Sequence, residues 1–166
     1  MKKLYIVRHA KSSWDDMSLR DFDRPLNDRG KRDAPKMGRR LKEREISPDL
    51  LISSPAVRAL STCREIAAVL GYKFDSIKTD KRIYHAGEST ILDVLKETNN
   101  NFKSVMIFGH NPGFTEFANS LFDEQINNIP TCGVVGGKLA IESWADIYFG
   151  CGEMKFFDYP KRNLRK

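Results

Sequence analysis

Short apolar runs alternating with stretches of helical spacing limit what this chain can fold into. Leu4-Tyr5-Ile6-Val7, Leu50-Leu51-Ile52, residues 73–78 and Val105-Met106-Ile107-Phe108 read as strands. Between them apolar residues recur every three or four positions. Ala34, Met37 and Leu41 mark a helix over about 30–45, capped by Asn27 or Asp28. Pro35 argues that this helix starts late or is kinked. Ser53-Ser54-Pro55 opens a second helix that carries Ala56, Leu60, Cys63, Ala67 and Leu70 inward and stops at Gly71. A third starts at Ser89 or Thr90, buries Ile91, Leu92 and Leu95, and ends at Asn99-Asn100-Asn101. A fourth follows the Gly109–Gly113 turn, with Phe114, Phe117, Ala118 and Leu121 on one face. This alternation over residues 4–122 requires a mostly parallel sheet covered on both faces. From about Thr131 the pattern turns to β, over 133–141, about 146–149 and 154–158, with Gly136-Gly137 as a break or bulge. The expected class is α/β: a three-layer sandwich, its mostly parallel central sheet flanked by helices, with antiparallel C-terminal strands.

The 166 residues suit one domain, placed at 1–160, followed by a basic tail at 161–166. A chain of this size buries roughly 70% of its unfolded surface and needs no disulfide or metal staple. No apolar run approaches the ~18 residues of a membrane span. Only four apolar residues separate Lys3 from Arg8, too few for a secretory core. Cys63, Cys132 and Cys151 are odd in number and form no CxxC pair. A reducing, cytoplasmic setting is expected, with no metal, no membrane partner and a monomeric chain.

The formal charge of +6 is concentrated in residues 1–45, which hold 14 Lys+Arg against 8 Asp+Glu. A basic face of this kind fits a solubilising surface, nucleic acid or a phosphorylated partner. No aromatic residues interleave the basic ones and no zinc-finger or RNA-recognition signature is present, so nucleic acid is not expected.

Parallel sheets bind ligands beyond the carboxyl ends of their strands. Those ends carry Arg8-His9, then Ser53-Ser54-Pro55 leading to Arg58, then Gly109-His110-Asn111. A single histidine at such a place is usually structural. Two of the chain's three histidines at equivalent edges, with two arginines, point to chemistry. The guanidinium fork matches phosphate oxygens. Free N–H groups at the helix start after Pro55 favour anions. A neutral imidazole can attack phosphorus, and a second, protonated one can share the phosphoryl charge. No HxH or HxxxH occurs, and the arginines would repel a cation.

These segments resemble the motifs of the histidine phosphatase superfamily, the phosphoglycerate-mutase-like fold. Leu4 through Ser12 is similar to its "RHG" motif, Ser53 through Thr62 to its second and Gly109-His110-Asn111-Pro112 to its third. The Arg24-Pro25-Leu26-Asn27-Asp28-Arg29-Gly30 segment and the short length resemble the SixA-type phosphohistidine phosphatases. The resemblance implies that His9 attacks phosphorus and carries the phosphoryl group. It implies that Arg8 and Arg58 bind the phosphoryl oxygens, with Asn111 a further substrate contact, and that His110 shares the transition-state charge. No cofactor is implied. The substrate implied is a protein phosphohistidine or a small phosphorylated metabolite; a non-catalytic phosphate-binding module is the rival.

The departures are informative. Ala10 stands where the motif has Gly. Asp15 replaces an Asn that contacts phosphate in many members, and an anion there is unfavourable, so Asp15 is left out of the site. Many members place an acidic proton donor between the second and third motifs. Arg82-Ile83-Tyr84-His85-Ala86-Gly87 has none before Glu88. His85 or Glu88 is a candidate acid, or there is none; for His85 an exposed loop histidine is the plainer reading. Trp14 and Phe22 line the mouth or simply pack. An alkoxide leaves as the base of an acid near ~15.7, whereas imidazole has a pKa of roughly 6.5. A site lacking a strong acid therefore favours a P–N substrate.

Overall fold

In the computed structural model, which describes residues 1–162, six strands form one sheet in the order β3-β2-β4-β1-β5-β6. They are β1 (Lys2–Arg8), β2 (Leu50–Ser53), β3 (Ile77–Thr79), β4 (Ser104–Gly109), β5 (Val134–Leu139) and β6 (Gly152–Asp158). β1 to β4 are mutually parallel, and β5 pairs antiparallel with both β1 and β6. The helices are α1 (Asp28–Glu43), α2 (Val57–Leu70), α3 (Glu88–Lys96) and α4 (Gly113–Phe122).

Period-two alternation sorts the central strands into two buried faces. Leu4 and Ile6, with Val105 and Ile107, face α3 and α4 through Ile91, Leu95, Phe114, Phe117 and Leu121. Tyr5 and Val7, with Met106 and Phe108, face α1 and α2 through Ala34, Met37, Leu41, Cys63 and Ile66. Strands buried on both sides read as continuous apolar runs, which is why β1 and β4 were legible. Phe108 is fully buried, so truncating it to alanine should cost about 3–5 kcal/mol.

Several boundaries differ from expectation. α1 starts at Asp28 and runs on through Pro35, with the Asn27 side chain accepting from the Gly30 N–H. Residues 74–76 form a short 3-10 turn, and the third strand lies at 77–79. Residues 144–146 are a 3-10 turn, and the β structure expected near 146–149 is absent. There the apolar signal comes from Trp144 and Ile147, which pack on the α3/α4 face from an irregular segment. Gly71 ends α2 with φ +88°, a conformation that favours glycine. Of the tail expected at 161–166, Lys161 and Arg162 are exposed and residues 163–166 lie outside the described residues. No helix among the described residues is long and apolar enough to cross a membrane.

Candidate active site

The sheet order puts β4 between β1 and β2, so their carboxyl ends lie side by side. Arg8 pairs with Gly109 and Ser53 with Phe108. Past the strands the chain stays tied, with the His9 N–H donating to the Gly109 carbonyl at 3.0 Å and the Ser54 N–H to the Phe108 carbonyl at 3.0 Å. The His9 and His110 rings are consequently 5.3 Å apart between centroids.

Both imidazoles are buried, and each is held by one nitrogen. His9 Nδ1 lies 2.7 Å from the Ala10 carbonyl oxygen. A carbonyl only accepts, so Nδ1 carries the proton and Nε2 keeps its lone pair. Burial pushes the His9 pKa down to about 4; the Ala10 bond opposes this, and Arg58, Arg8 and Arg24 add to it. His110 Nε2 lies 2.8 Å from Ser54 Oγ. Its pKa falls to about 3, through burial first and then the proximity of His9, Arg58 and His85. Both shifts favour the neutral imidazole at pH 7.

The arginines reach this pair from different elements. Arg58, on the first turn of α2, is buried, with only 4% of its surface exposed. Its Nη1 donates to the Asp21 carbonyl at 2.6 Å, and its Nη2 lies 2.9 Å from Asp21 Oδ2. Arg8 Nη1 donates to the Ile129 carbonyl at 2.8 Å. Arg8 Nε and His110 Nδ1 are buried without any partner among the described residues. Each such group costs about 1–3 kcal/mol, the kind of unpaid polarity that collects at functional sites.

Sequence reasoning missed Asp21 and Arg24. The loop between β1 and α1 folds back on itself through a Ser12–Leu26 bridge and a Ser13 N–H to Pro25 carbonyl bond. That closure carries the Asp21–Asp23 turn to the site. Arg24 donates to the Ser13 carbonyl and to Ser12 Oγ, and its Nη1 lies 2.9 Å from Asp21 Oδ1. Partial burial pushes the Asp21 carboxyl up. Hydrogen bonds from Tyr84 and Arg58 outweigh that and hold it well below the usual carboxylate range. Its one available signal was the Asp21/Arg24 spacing of three in a turn.

Other candidates find their places. Asn111 spends its amide inside the chain: Nδ2 donates to Asn128 Oδ1 and the Ile129 carbonyl, and Oδ1 accepts from Thr115. It thus braces the Ile129 carbonyl that holds Arg8. Glu88 accepts from Ser120 Oγ, which ties α3 to α4. Asp15 is exposed. Phe22 meets Tyr84 edge-on at 5.1 Å, whereas Trp14 is 62% exposed and lies flat on Arg24 at 3.3 Å.

His85 is at the mouth. Its Nε2 is 3.4 Å from Asp21 Oδ2 and its ring is 5.9 Å from that of His110, so all three histidines converge. Its backbone has φ +57°, uncommon for a residue with a side chain. The neighbouring loop is pressed onto α4 because Gly113 has no Cβ; one there would sit 1.9 Å from the Ala86 carbonyl oxygen. A cleft of about 200 Å³ runs from His110 past His85 to Glu116. Among the described residues no group of three or more His, Cys, Asp or Glu is arranged to hold a metal ion.

Comparison with known proteins bears on the family and the fold. Residues 4–84 match the model of the histidine phosphatase superfamily, branch 1. A chloroplastic Arabidopsis thaliana protein, itself uncharacterised, is 31% identical over 155 residues, spanning 89% of this chain and 71% of that one. An Agrobacterium tumefaciens structure assigned to the phosphohistidine phosphatase SixA superposes with a TM-score of 0.81 at 25% identity, covering 96% of this chain and 98% of that one. The protein histidine phosphatase SixA complexed with tungstate shares the fold, with a TM-score of 0.80 at 20% identity over 95% of this chain and 97% of its own. The chain belongs to the histidine phosphatase superfamily and has the phosphoglycerate-mutase-like fold of its SixA-type members.

Proposed function

We propose that the protein is a metal-independent phosphatase that works through a phosphohistidine on His9, and that its substrate is phosphohistidine on a protein. The observation that carries this is the His9 ring itself. Nδ1 is bound to the Ala10 carbonyl, Nε2 is a free base at pH 7, and the field of Arg58, Arg8 and Arg24 surrounds it. Nε2 attacks phosphorus in line; the bond to the leaving nitrogen breaks, and the substrate imidazole, protonated beforehand on its other ring nitrogen, takes the bonding pair and departs neutral. The arginine forks hold the phosphoryl oxygens. His110 donates an N–H to them, and the entering dianion raises its proton affinity. Water then attacks the phosphoenzyme, the P–Nε2 bond breaks and inorganic phosphate leaves. The three buried thiols suit a reducing compartment such as the cytosol.

One observation favours a second reading. His85, backed by Asp21 at 3.4 Å, stands where it can protonate an ester oxygen. With that acid the protein would be a general phosphomonoesterase.

The test is phosphoryl labelling. With a histidine-phosphorylated carrier protein as donor, rapid quenching should trap acid-labile, base-stable phosphate on the wild type and none on His9→Ala. Label persisting in His9→Ala overturns the nucleophile, and turnover lost to a chelator and restored by a divalent metal overturns the metal-free mechanism.

A further inference from the structure

At the opposite end of the sheet from His9, on the α1/α2 face, lies a cavity of about 280 Å³. Lys3 and Arg8 are five residues apart on β1, so the two sites are separated by roughly 17 Å at ~3.3 Å per residue. Nothing in the phosphatase mechanism uses this cavity.

Its construction is specific. Gly136 pairs with Phe156 and Gly137 with Met154, so Lys155 is an extra residue that β5 does not match. Such a bulge re-aims side chains, and here Lys155 and Phe156 both line the cavity. A Cβ on Gly136 would lie 2.3 Å from the Phe156 ring. Glycine therefore lets that ring settle against the β5 backbone, 6.3 Å from Tyr5 between centroids. The Arg44 guanidinium stacks over Phe156 at 4.2 Å, with Asp158 Oδ2 at 3.6 Å. An aromatic wall is thus fixed beside a fixed cation.

The charges are the second observation. Lys3 on β1 and Lys138 on β5 are directly opposed in register, a cross-strand arrangement that is unfavourable for like charges. Neither has an ion-pair partner among the described residues. Across β6 from Lys138 stands Glu153, whose carboxylate lies 2.9 Å from Lys155 Nζ. The cavity rim therefore keeps an excess of positive charge next to two aromatic rings.

We propose that this cavity is a second ligand site for a mononucleotide, its ring on the Arg44 guanidinium and the edge of Phe156 and its phosphate between Lys3 and Lys138. Base–aromatic stacking tolerates any base, and the opposed lysines supply the anion requirement. The volume is near the lower end of the usual range for small-molecule pockets, about 300–1,000 Å³, which suits one nucleotide and not a longer chain.

The probes are AMP, adenosine and pyrophosphate, added to the full chain with its catalytic pocket filled by tungstate. Amide chemical shifts locate binding and calorimetry measures it. AMP should move Gly136, Gly137 and Lys138, and bind at least tenfold more tightly than adenosine or pyrophosphate. The Lys3→Glu/Lys138→Glu variant should weaken AMP at least tenfold and leave aryl phosphate turnover unchanged. Both lysines are exposed, so the variant should fold; Lys138→Gln, expected to weaken AMP by severalfold, is the milder check. Shifts confined to Arg8, His9 and His110 would overturn the proposal. So would pyrophosphate or adenosine binding as tightly as AMP, or indifference to charge reversal.

Discussion

Asp21 holds Arg58 by both its carboxylate, 2.9 Å from Nη2, and its main-chain carbonyl, 2.6 Å from Nη1. An acid thus sits inside a site made for an anion. It orients the Arg58 fork, and with Arg24 and Tyr84 it locks the β1–α1 loop over the pocket. In the proposed mechanism the same charge repels the phosphoryl group it helps to place.

That double role gives Asp21→Asn an unusual expected signature. Removing the charge should tighten inorganic phosphate or tungstate binding by several-fold. Loosening the fork should lower kcat by about 10–100-fold, below the ~10²–10³ typical of deleting a transition-state donor outright. Inhibition constants and kcat measured together check it. Weaker anion binding with unchanged kcat would show that Asp21 merely supports the fold.

Arg58→Ala should reduce kcat/KM by about 100-fold or more. Arg58→Lys should recover little of that, since an ammonium cannot satisfy Asp21 and two phosphoryl oxygens from one plane. A steady-state comparison of the two variants decides it; near-complete rescue by lysine would reduce Arg58 to a point charge.

Stability should fall with acid well before the carboxylates titrate. His9 and His110 have folded values of about 4 and about 3, below the ordinary 6.5. Their contribution is complete above pH 6.5 and is lost as pH drops toward the folded values, because the unfolded chain takes up protons that the folded one refuses. Two protons correspond to a slope of about 2.7 kcal/mol per pH unit between roughly pH 6 and 4.5. Urea unfolding across that range measures it, and His110→Asn should remove about half of the slope. A flat profile would place both imidazoles near their ordinary values.

How much of this was legible follows from what each residue's signal depends on. The central strands could be read because burial on both faces makes them uniformly apolar. Arg8, His9 and His110 could be placed because they lie at or just past strand ends, and Arg58 because it lies in the first helical turn after one; sequence order fixes such positions. Asp21 and Arg24 could not, because they reach the site through a loop closure of side-chain and main-chain bonds that no periodicity records. Asn111 shows the opposite case: its sequence neighbour His110 lines the site, while its amide turns to Asn128, Ile129 and Thr115. His85 read as a loop histidine because its contacts, Asp21 and His110, are 64 and 25 residues away in sequence.

The position of His85 turns substrate class into a measurable question. If no acid operates, the rate depends steeply on the basicity of the leaving group. Phosphoramidates and activated aryl phosphates should then react well and alkyl phosphates poorly. The gap should be about 10²–10⁴-fold, the usual worth of general acid catalysis. His85→Ala should leave phosphoramidate turnover nearly unchanged, since imidazole needs little help to depart. If His85 is the acid, alkyl and aryl esters should react alike in the wild type, and His85→Ala should collapse only the alkyl rates. Asp21 would then matter twice, because its carboxylate, 3.4 Å from His85 Nε2, also orients that ring. A leaving-group series of kcat/KM on wild type and His85→Ala separates the two, and alkyl esters as fast as phosphoramidates would sink the P–N assignment while keeping His9 as the nucleophile.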